Sequence, residues 1–558
     1  MTPSRLSLQS LPWNIIQATI NVLMYGDQLG QNSVKLEEIK FSNPCIPLLG
    51  VSRSWRALAL KVLCQECFIN LDKKPKSATT EFAIWPAPMK HEHSDFYSLV
   101  TSITINTKTQ DVFNRKALHQ LHSLKLAKGS FDSVKVLKVM LNESLKTTDT
   151  RIKAKNAIDF ARQVRQLMPH LSSIRVEYSG GEEILESMAW AYELLLGQLY
   201  GGLEARELTL VNCGLSLGTV PSTELKLTRI ETIWDTTFDE TIELVRLNAN
   251  TLRTLEMSCA QPTKLFKLLE SRDNRGCVVY PNMRVLHLWS GNFTKYKCQS
   301  FKGNYSPFPQ LEQLTMDLIY PFTDDVLFRG NTATLNYLRM AADPDTIQLL
   351  NSCNVFDGGR MESLRHVRVD VTCIAGISEI KTSKLVADFI MSLAFRAQTL
   401  EIEGRLPKDA FLGAISQPEN CQHLQHLLVN DLQLSLSDIL TAIQSAPVLC
   451  YLYSQFIGLG DDLKGLPADQ VVEHVEVKLK NASRHFKHWR LWHTPSTVIE
   501  SAAQSVMTLA SIFPKFTYSI VTSTVRAEYN SCIRKALTTP PFNNYKAALE
   551  RLLFVGWD

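Results

Sequence analysis

The chain repeats a short pattern: an apolar residue, two variable positions, a second apolar residue, one variable position and a third apolar residue. The clearest copies are Leu171/Ile174/Val176, Leu252/Leu255/Met257, Met283/Leu286/Leu288, Leu311/Leu314/Met316, Leu335/Leu338/Met340, Leu364/Val367/Val369, Leu424/Leu427/Val429 and Val472/Val475/Val477. Weaker copies are Val100/Ile103/Ile105, Val134/Leu137/Val139, Ala205/Leu208/Leu210 and Ala397/Leu400/Ile402. The final apolar-x-apolar step has the two-residue period of a β-strand, so the pattern predicts a series of short strands.

Helix signals lie in several of the segments between these copies. Asp343 and Pro344 supply an N-cap and a first-turn proline, and the range 237–240 forms a capping box. Apolar residues at three- and four-residue spacing follow Ser383 and Ser437. Strand and helix therefore alternate, and the expected fold class is α/β.

Two α/β architectures fit this alternation. Units of roughly 22 to 37 residues with a Leu-x-x-Leu-x-Leu strand resemble leucine-rich repeats, which stack because no single unit can bury its apolar face. A doubly wound sheet is the other option, but no glycine-rich turn joins a strand to a helix. Leucine-rich repeats normally have an Asn or Cys three residues after the last apolar position. That residue is nearly absent here, with Cys213 a rare match, so a divergent solenoid is expected. Over 98–495, the resemblance implies one extended array with a parallel sheet on its inner face.

The N-terminal segment contains a second recognisable pattern. Leu-Pro is followed by paired aliphatic residues, and the run 48–59 reads LLGVSRSWRALA. These features resemble the F-box, a small helical module that binds the Skp-type adaptor of cullin-RING ubiquitin ligases. The matching positions are Leu11, Pro12, Ile15, Ile16, Ile20, Leu48, Val51, Ser52, Arg53, Trp55 and Leu58. The polar stretch 25–44 is longer than the loop usual in that family, and a plain N-terminal cap over the first repeat is the alternative.

These patterns divide the chain into four parts. An F-box-like helical domain is expected over 8–70, with its last helix ending near Phe68, followed by a linker over 71–97. The solenoid-like array occupies 98–495. After Pro495 the strand pattern stops, and a C-terminal helical cap is expected over 496–558, because Ala502, Val506 and Leu509 have helical spacing.

The pleat of the predicted strands indicates where a target protein would bind. Residues between and beside the buried aliphatic positions must face the opposite side, which is the concave side of a solenoid. That ladder comprises Glu256, His287, Trp289, Thr315, Tyr337, Arg339, His366, Arg368, Glu401, His426 and Asn430. The expected target-binding residues are His287, Trp289, Tyr337, Arg339, His366 and Arg368, since Trp, Tyr and Arg dominate binding hot spots. The two arginines would favour an acidic or phosphorylated target segment.

Composition narrows the class of protein. The chain has 558 residues, 45% apolar and 20% charged, which is typical of an ordered protein. A net charge of +4 is too small to favour nucleic acid as the main partner. No membrane-length apolar run or signal peptide is present, so the expected location is cytoplasm or nucleus with no membrane partner.

No catalytic or cofactor site is expected. Glycine-rich phosphate loops, Gly-x-Ser-x-Gly and His-Glu-x-x-His are absent from the sequence. Cys64 and Cys67 form a CxxC without a second ligand pair, and the twelve cysteines read as reduced thiols. His485 and His488 lack a third nearby ligand; if their segment is a strand, His488 and Arg490 share one face. No metal and no cofactor are therefore predicted.

The F-box resemblance implies a substrate-recruiting adaptor of an SCF-type ubiquitin ligase. The N-terminal helices would bind the Skp-type adaptor and its cullin complex, and the solenoid would bind a target protein. The chain itself would then not be an enzyme. The alternative is a leucine-rich-repeat scaffold that binds protein or RNA and has no ubiquitin-ligase role.

Overall fold

The computed structural model describes residues 65–70, 83–84, 99–108 and most of 118–542, with gaps of which the longest are 143–153 and 290–300. The chain divides into two compact units, Met1–Ser258 and Cys259–Asp558. Each unit contains helices and an open, largely parallel sheet, so the predicted α/β class is confirmed. The boundary between the units falls inside the array predicted for 98–495. All predicted adaptor-binding residues, from Leu11 to Leu58, lie outside the described residues.

The first unit has one sheet whose strands follow the order of the chain. Its strands are β1 (Glu66–Asn70), β2 (Ala83–Ile84), β3 (Ser102–Lys108), β4 (Val136–Asn142), β5 (Ser173–Tyr178), β6 (Glu207–Val211), β7 (Arg229–Ile233) and β8 (Thr254–Ser258). Its helices are α1 (Ala154–Leu167), α2 (Glu186–Tyr200) and α3 (Asp239–Leu247). β1 pairs antiparallel with β2 and parallel with β3, and from β4 to β8 each strand pairs parallel with the preceding strand.

The second unit repeats this arrangement. Its strands are β9 (Val285–Trp289), β10 (Gln313–Ile319), β11 (Tyr337–Ala342), β12 (His366–Val371), β13 (Thr399–Glu403), β14 (His426–Leu434), β15 (Tyr451–Phe456), β16 (His488–Trp492) and β17 (Thr517–Ile520). Its helices are α4 (Pro262–Leu269), α5 (Pro344–Ser352), α6 (Glu379–Ala394), α7 (Lys408–Ile415), α8 (Leu436–Ser445), α9 (Ala468–Leu479), α10 (Ile499–Ile512) and α11 (Arg526–Ala536).

In the second unit, helices α5 to α11 form one layer on one face of the sheet. From β9 to β17 each strand pairs parallel with the next strand of the chain, without the reversal of order that defines a doubly wound sheet. From α5 to α11 each helix contacts the next. Successive crossovers in one direction, with neighbouring helices in contact, place the helices side by side. The opposite face of this sheet is called the open face below.

The apolar positions of the repeat fill the core between the sheet and the helices. Leu314 lies in register between Leu286 and Leu338, and all three are fully buried. In β9 and β13 the residues between the apolar positions are only half-buried, so burial alternates strictly along both strands. Each of these two strands thus buries one face, as the two-residue period requires.

Local signals fixed where several helices begin. Asp343 caps α5 by accepting a hydrogen bond from the Thr346 backbone N–H at 2.8 Å, which confirms the predicted N-cap. Helix α8 begins at Leu436, so Ser437, which precedes the apolar residues in the sequence pattern, is not its N-cap. Ser435 is the N-cap and forms a capping box with Asp438.

The strand predicted at Val472, Val475 and Val477 is wrong. These residues lie in helix α9, where Val472 and Val475 are buried and Val477 is 69% exposed. Apolar residues three positions apart lie on one face of a helix, and the repeat pattern opens with the same spacing. In α9, Val477 lies off the face that Val472 and Val475 share.

Strands β15, β16 and β17 escape the sequence pattern because each has a residue that is not aliphatic at one or more core positions. In β16 the pattern is Phe486-x-x-Trp489-x-Leu491, and all three side chains are buried. In β15 the third position is Ser454, a buried hydroxyl that accepts a hydrogen bond from the Trp489 indole at 3.4 Å. Strand β17 lies inside the predicted all-helical cap 496–558, so that boundary is corrected: the sheet continues to Ile520.

The start of the sheet also differs from the prediction. The helix expected to reach Phe68 is replaced over Glu66–Asn70 by β1, and β2 lies within the predicted linker 71–97. The register of β1 on β3 places Cys67 opposite Ile103 and Ile69 opposite Ile105. Cys67 therefore takes the place of a repeat position in the strand.

Candidate protein-binding surface

The open face of the second unit carries polar and aromatic side chains from consecutive strands. Because parallel strands lie about 4.8 Å apart, residues in register form rows across them. One row, called the aromatic row, comprises Tyr337, His366, Thr399, His426, Tyr451 and His488. A second group, called the charged cluster, comprises Asp317, Arg339, Arg368, Asp370, Glu401 and Glu403.

Arg368 is the centre of the charged cluster. It is in register with Glu401 on the next strand, and its Nη1 lies 3.3 Å from Glu401 Oε1. Its Nη2 donates to Glu403 Oε1 at 2.6 Å. Burial alone would lower the pKa of Arg368, but Glu401 and Glu403 outweigh it and raise that pKa. The guanidinium is therefore a permanent charge bound by its own sheet.

Arg339 is held in the same way. Its Nε lies 3.0 Å from Asp317 Oδ1, and its guanidinium carbon lies 5.9 Å from the centre of the Trp289 ring. Trp289 also contacts the His287 ring edge-on, at a centroid distance of 6.4 Å. Trp289 is half-buried on the open face, where its ring and Arg339 hold each other in place.

Asp370 and Glu403 share a proton below about pH 6. They are in register on β12 and β13 and hydrogen-bond to each other. Burial, the hydrogen bond and the charge of Glu403 together raise the pKa of Asp370 to about 6. Burial would raise the pKa of Glu403 as well, but its hydrogen bond with Asp370 and the nearby Arg368 lower it. Below about pH 6 the proton is thus held on Asp370, which donates to the Glu403 carboxylate.

The charged cluster is acidic in balance. Burial is the main reason why the pKa values of Asp317 and Glu401 are raised, and nearby arginines oppose the increase. Four carboxyl groups stand against two guanidinium groups, and both guanidinium groups are already paired. This pairing disfavours the expected binding of an acidic or phosphorylated segment by Arg339 and Arg368, and a positive group fits this cluster better.

The aromatic row borders the cluster at the beginning of each strand. Tyr451 stacks on His488 with ring centroids 5.2 Å apart and planes 10° apart, and His426 meets Tyr451 edge-on. Burial and the nearby Arg490 lower the pKa of His488. Its ring nitrogens lie 2.8 Å from Thr517 Oγ1 and 3.1 Å from Ser519 Oγ. A neutral His488 therefore presents an ordered, flat surface together with Tyr451.

The six residues predicted to bind a target are brought together on this face. His287 and Trp289 lie on β9, Tyr337 and Arg339 on β11, and His366 and Arg368 on β12, all on the side opposite the core. Of these six, only His366 is exposed, whereas the others are half-buried. Glu256 of the predicted ladder lies on β8 in the first unit.

Sequence reasoning misses part of the surface. Asp317, Asp370 and Glu403 directly follow the last apolar residue of the apolar-x-apolar step, a position that the predicted ladder includes only at Trp289 and Asn430. Tyr451 and His488 are missed because β15 has Ser454, and β16 has Phe486 and Trp489, at positions that are aliphatic in the repeat. The signal that could have found the acidic members is an Asp or Glu directly after the last apolar residue.

Among the described residues, no group of His, Cys, Asp and Glu could hold a metal ion, and no helix is long and apolar enough to cross a membrane. No protein-family model matches the chain, and no curated protein matches its sequence.

Proposed function

We propose that this protein is a substrate-recruiting adaptor of an SCF-type ubiquitin ligase. The F-box-like segment around Leu11, Pro12 and Trp55 would bind the Skp-type adaptor, and the open face of the second unit would bind the target protein. The chain would supply no catalytic group. Holding the target beside the charged conjugating enzyme raises its effective concentration, which is sufficient for transfer by the partner enzymes.

The observation that carries the target-binding half of this proposal is the composition of the open face. An aromatic row and a charged cluster lie on one surface built from consecutive parallel strands. Side chains on strands are positioned more precisely than side chains on loops. Aromatic rings supply most of the binding energy at protein interfaces, whereas charges chiefly select the partner.

The chemistry of the target segment follows from the charges. Glu401, Glu403 and Asp370 exceed the positive charge of Arg368. A lysine or arginine of the target would be attracted to this cluster, and an aromatic or aliphatic neighbour would lie on Tyr451 or Tyr337. RNA is disfavoured on this face, because its phosphates would meet the excess of carboxylates.

The adaptor-binding half is tested by co-purification with the Skp-type adaptor. Leu11→Ala/Pro12→Ala should lose the adaptor, since truncation of a buried anchor typically costs about 2 kcal/mol or more in binding. The matched control is Tyr337→Ala/His366→Ala, which should retain it. If the wild type never co-purifies with the adaptor, or if the Leu11→Ala/Pro12→Ala variant binds it unchanged, the ligase proposal fails.

The target-binding half is tested with partner proteins captured from cells by the full chain. A true target should be lost from Tyr337→Ala/His366→Ala and retained by the variant Leu11→Ala/Pro12→Ala. His366 is an informative site because it is exposed, so its truncation should not alter folding. A partner that binds on this face without any adaptor binding would favour the scaffold alternative. If every captured protein binds both variants equally, the open face is not the binding surface.

A further inference from the structure

A cleft lies at the edge of the second sheet where strands β12, β13 and β14 begin. Arg365, Arg396, Gln398 and His423 line it, and its volume is about 200 Å³. A water molecule occupies about 30 Å³ in the liquid, so the cleft can hold a polyatomic ion. None of the four lining side chains is a carboxylate.

The repeat brings these side chains together. The Gln398 backbone N–H donates to the Arg365 carbonyl at 2.7 Å, and the Gln425 N–H donates to the Gln398 carbonyl at 2.8 Å. Arg365 and Gln398 therefore hold equivalent positions, one residue before adjacent strands. Arg396 and His423 are also equivalent, three residues before β13 and β14 respectively.

Both guanidinium groups are positioned before any ligand arrives. Arg365 Nη1 donates to the Glu362 carbonyl at 2.7 Å and to the Leu364 carbonyl at 3.0 Å, which fixes its plane. Arg396 lies over the Phe395 ring, with its guanidinium carbon 5.4 Å from the ring centre. Little side-chain freedom would be lost on binding, which favours affinity.

A comparison within the sheet shows why this cleft differs from other strand entries. Arg284 holds the position before β9 that Arg365 holds before β12. On the next strand along, the equivalent residue is Glu312, whose Oε1 lies 3.1 Å from Arg284 Nη1. The residue equivalent to Glu312 beside Arg365 is Gln398, a neutral amide. The charge of Arg284 is therefore neutralised by its neighbour, whereas Gln398 leaves that of Arg365 uncompensated at this position.

We propose that the cleft binds a phosphoryl group. Arginine presents planar pairs of N–H donors that match phosphate oxygens, and the Gln398 amide and the His423 imidazole add further donors. The ligand would be free phosphate or a phosphorylated side chain, since both present the same oxygens. This site is separate from the charged cluster, and its occupancy does not depend on the proposed ligase function.

The test is ³¹P NMR line broadening of inorganic phosphate by the full chain at constant ionic strength. Gln398→Glu should weaken binding at least about tenfold, because the new carboxylate would pair with Arg365 as Glu312 pairs with Arg284. Arg396→Gln should weaken binding by a similar factor. The matched control Arg284→Gln removes the same charge elsewhere and should leave binding unchanged. Circular dichroism identifies any variant that fails to fold.

A second arm uses N-acetyl-phosphoserine methylamide as the probe. Competition between this compound and inorganic phosphate would assign the site to phosphorylated side chains, whereas binding of inorganic phosphate alone would assign it to the free anion. The proposal is overturned if the wild type broadens neither signal, or if Arg284→Gln weakens binding as much as Gln398→Glu and Arg396→Gln do. Because no partner protein is present, these results are independent of the adaptor and target experiments.

Discussion

Replacing Asp370 with asparagine tests the shared proton in the charged cluster. Burial, the hydrogen bond and the neighbouring Glu403 raise the pKa of Asp370 from 3.8 to about 6. A carboxyl with a raised pKa favours folding most when it is protonated. Its contribution is fully present below pH 3.8 and is lost as the pH rises through about 6. An asparagine at this position could still donate to Glu403 through its amide, without acquiring a charge at high pH.

The expected magnitude follows from the change in pKa. A shift of about two units corresponds to about 3 kcal/mol between the two protonation states. The Asp370 side chain is 26% exposed, so solvent screening reduces this value. The lowered pKa of Glu403 acts in the opposite direction at neutral pH. We therefore expect Asp370→Asn to raise the free energy of unfolding by about 1 kcal/mol at pH 7.5.

Urea denaturation at pH 4.0, 5.0, 6.0 and 7.5 measures this effect. The difference between Asp370→Asn and wild type should be largest at pH 7.5 and should fade towards pH 4.0, where Asp370 is itself protonated. The control is Asp388→Asn, which changes an exposed carboxylate on α6 and should produce no comparable trend. A destabilised Asp370→Asn at pH 7.5, or a difference that is equal at all four pH values, would refute the shared-proton argument.

Two further pairs of variants test the packing, each by chemical denaturation. Gly404→Ala should destabilise the protein by several kcal/mol, because the φ of Gly404 is +102° and the new Cβ would lie 2.2 Å from the Val371 carbonyl oxygen. Gly413 lies in α7 with open space around it, so Gly413→Ala should stabilise the protein by about 0.5–1 kcal/mol. A tolerated Gly404→Ala would contradict the close approach of the β12 and β13 backbones at this point. Val475→Ala should cost about 2 kcal/mol and Val477→Ala less than about 0.5 kcal/mol, since only Val475 is buried in α9. Equal losses would favour the strand that the apolar pattern predicts there.

The sequence alone determined the α/β class and most of the strands. An apolar residue at every second position is nearly sufficient to define a strand with one buried face, so Leu286 and Leu314 fell on the core side. The repeat pattern misassigned Val475, because the three-residue spacing that opens the pattern is also the spacing of residues on one helix face. It also missed Trp489, because an aromatic core residue does not resemble the aliphatic repeat. Whether Val475 lies in a helix and Trp489 in the core depends on which neighbouring side chains fill the space around them, and the sequence does not show those neighbours.

Which face of the strands carries polar groups was also determined by the sequence, since side chains alternate along a strand. What those groups do was decided by the tertiary structure. Arg368 suggested a site for acidic ligands until the sheet register placed Glu401 and Glu403 beside it. Arg284 and Arg365 have equivalent positions in the repeat, yet Glu312 neutralises one while Gln398 stands beside the other. Electrostatic character depends on distances between side chains on different strands, and only the pairing of those strands fixes such distances.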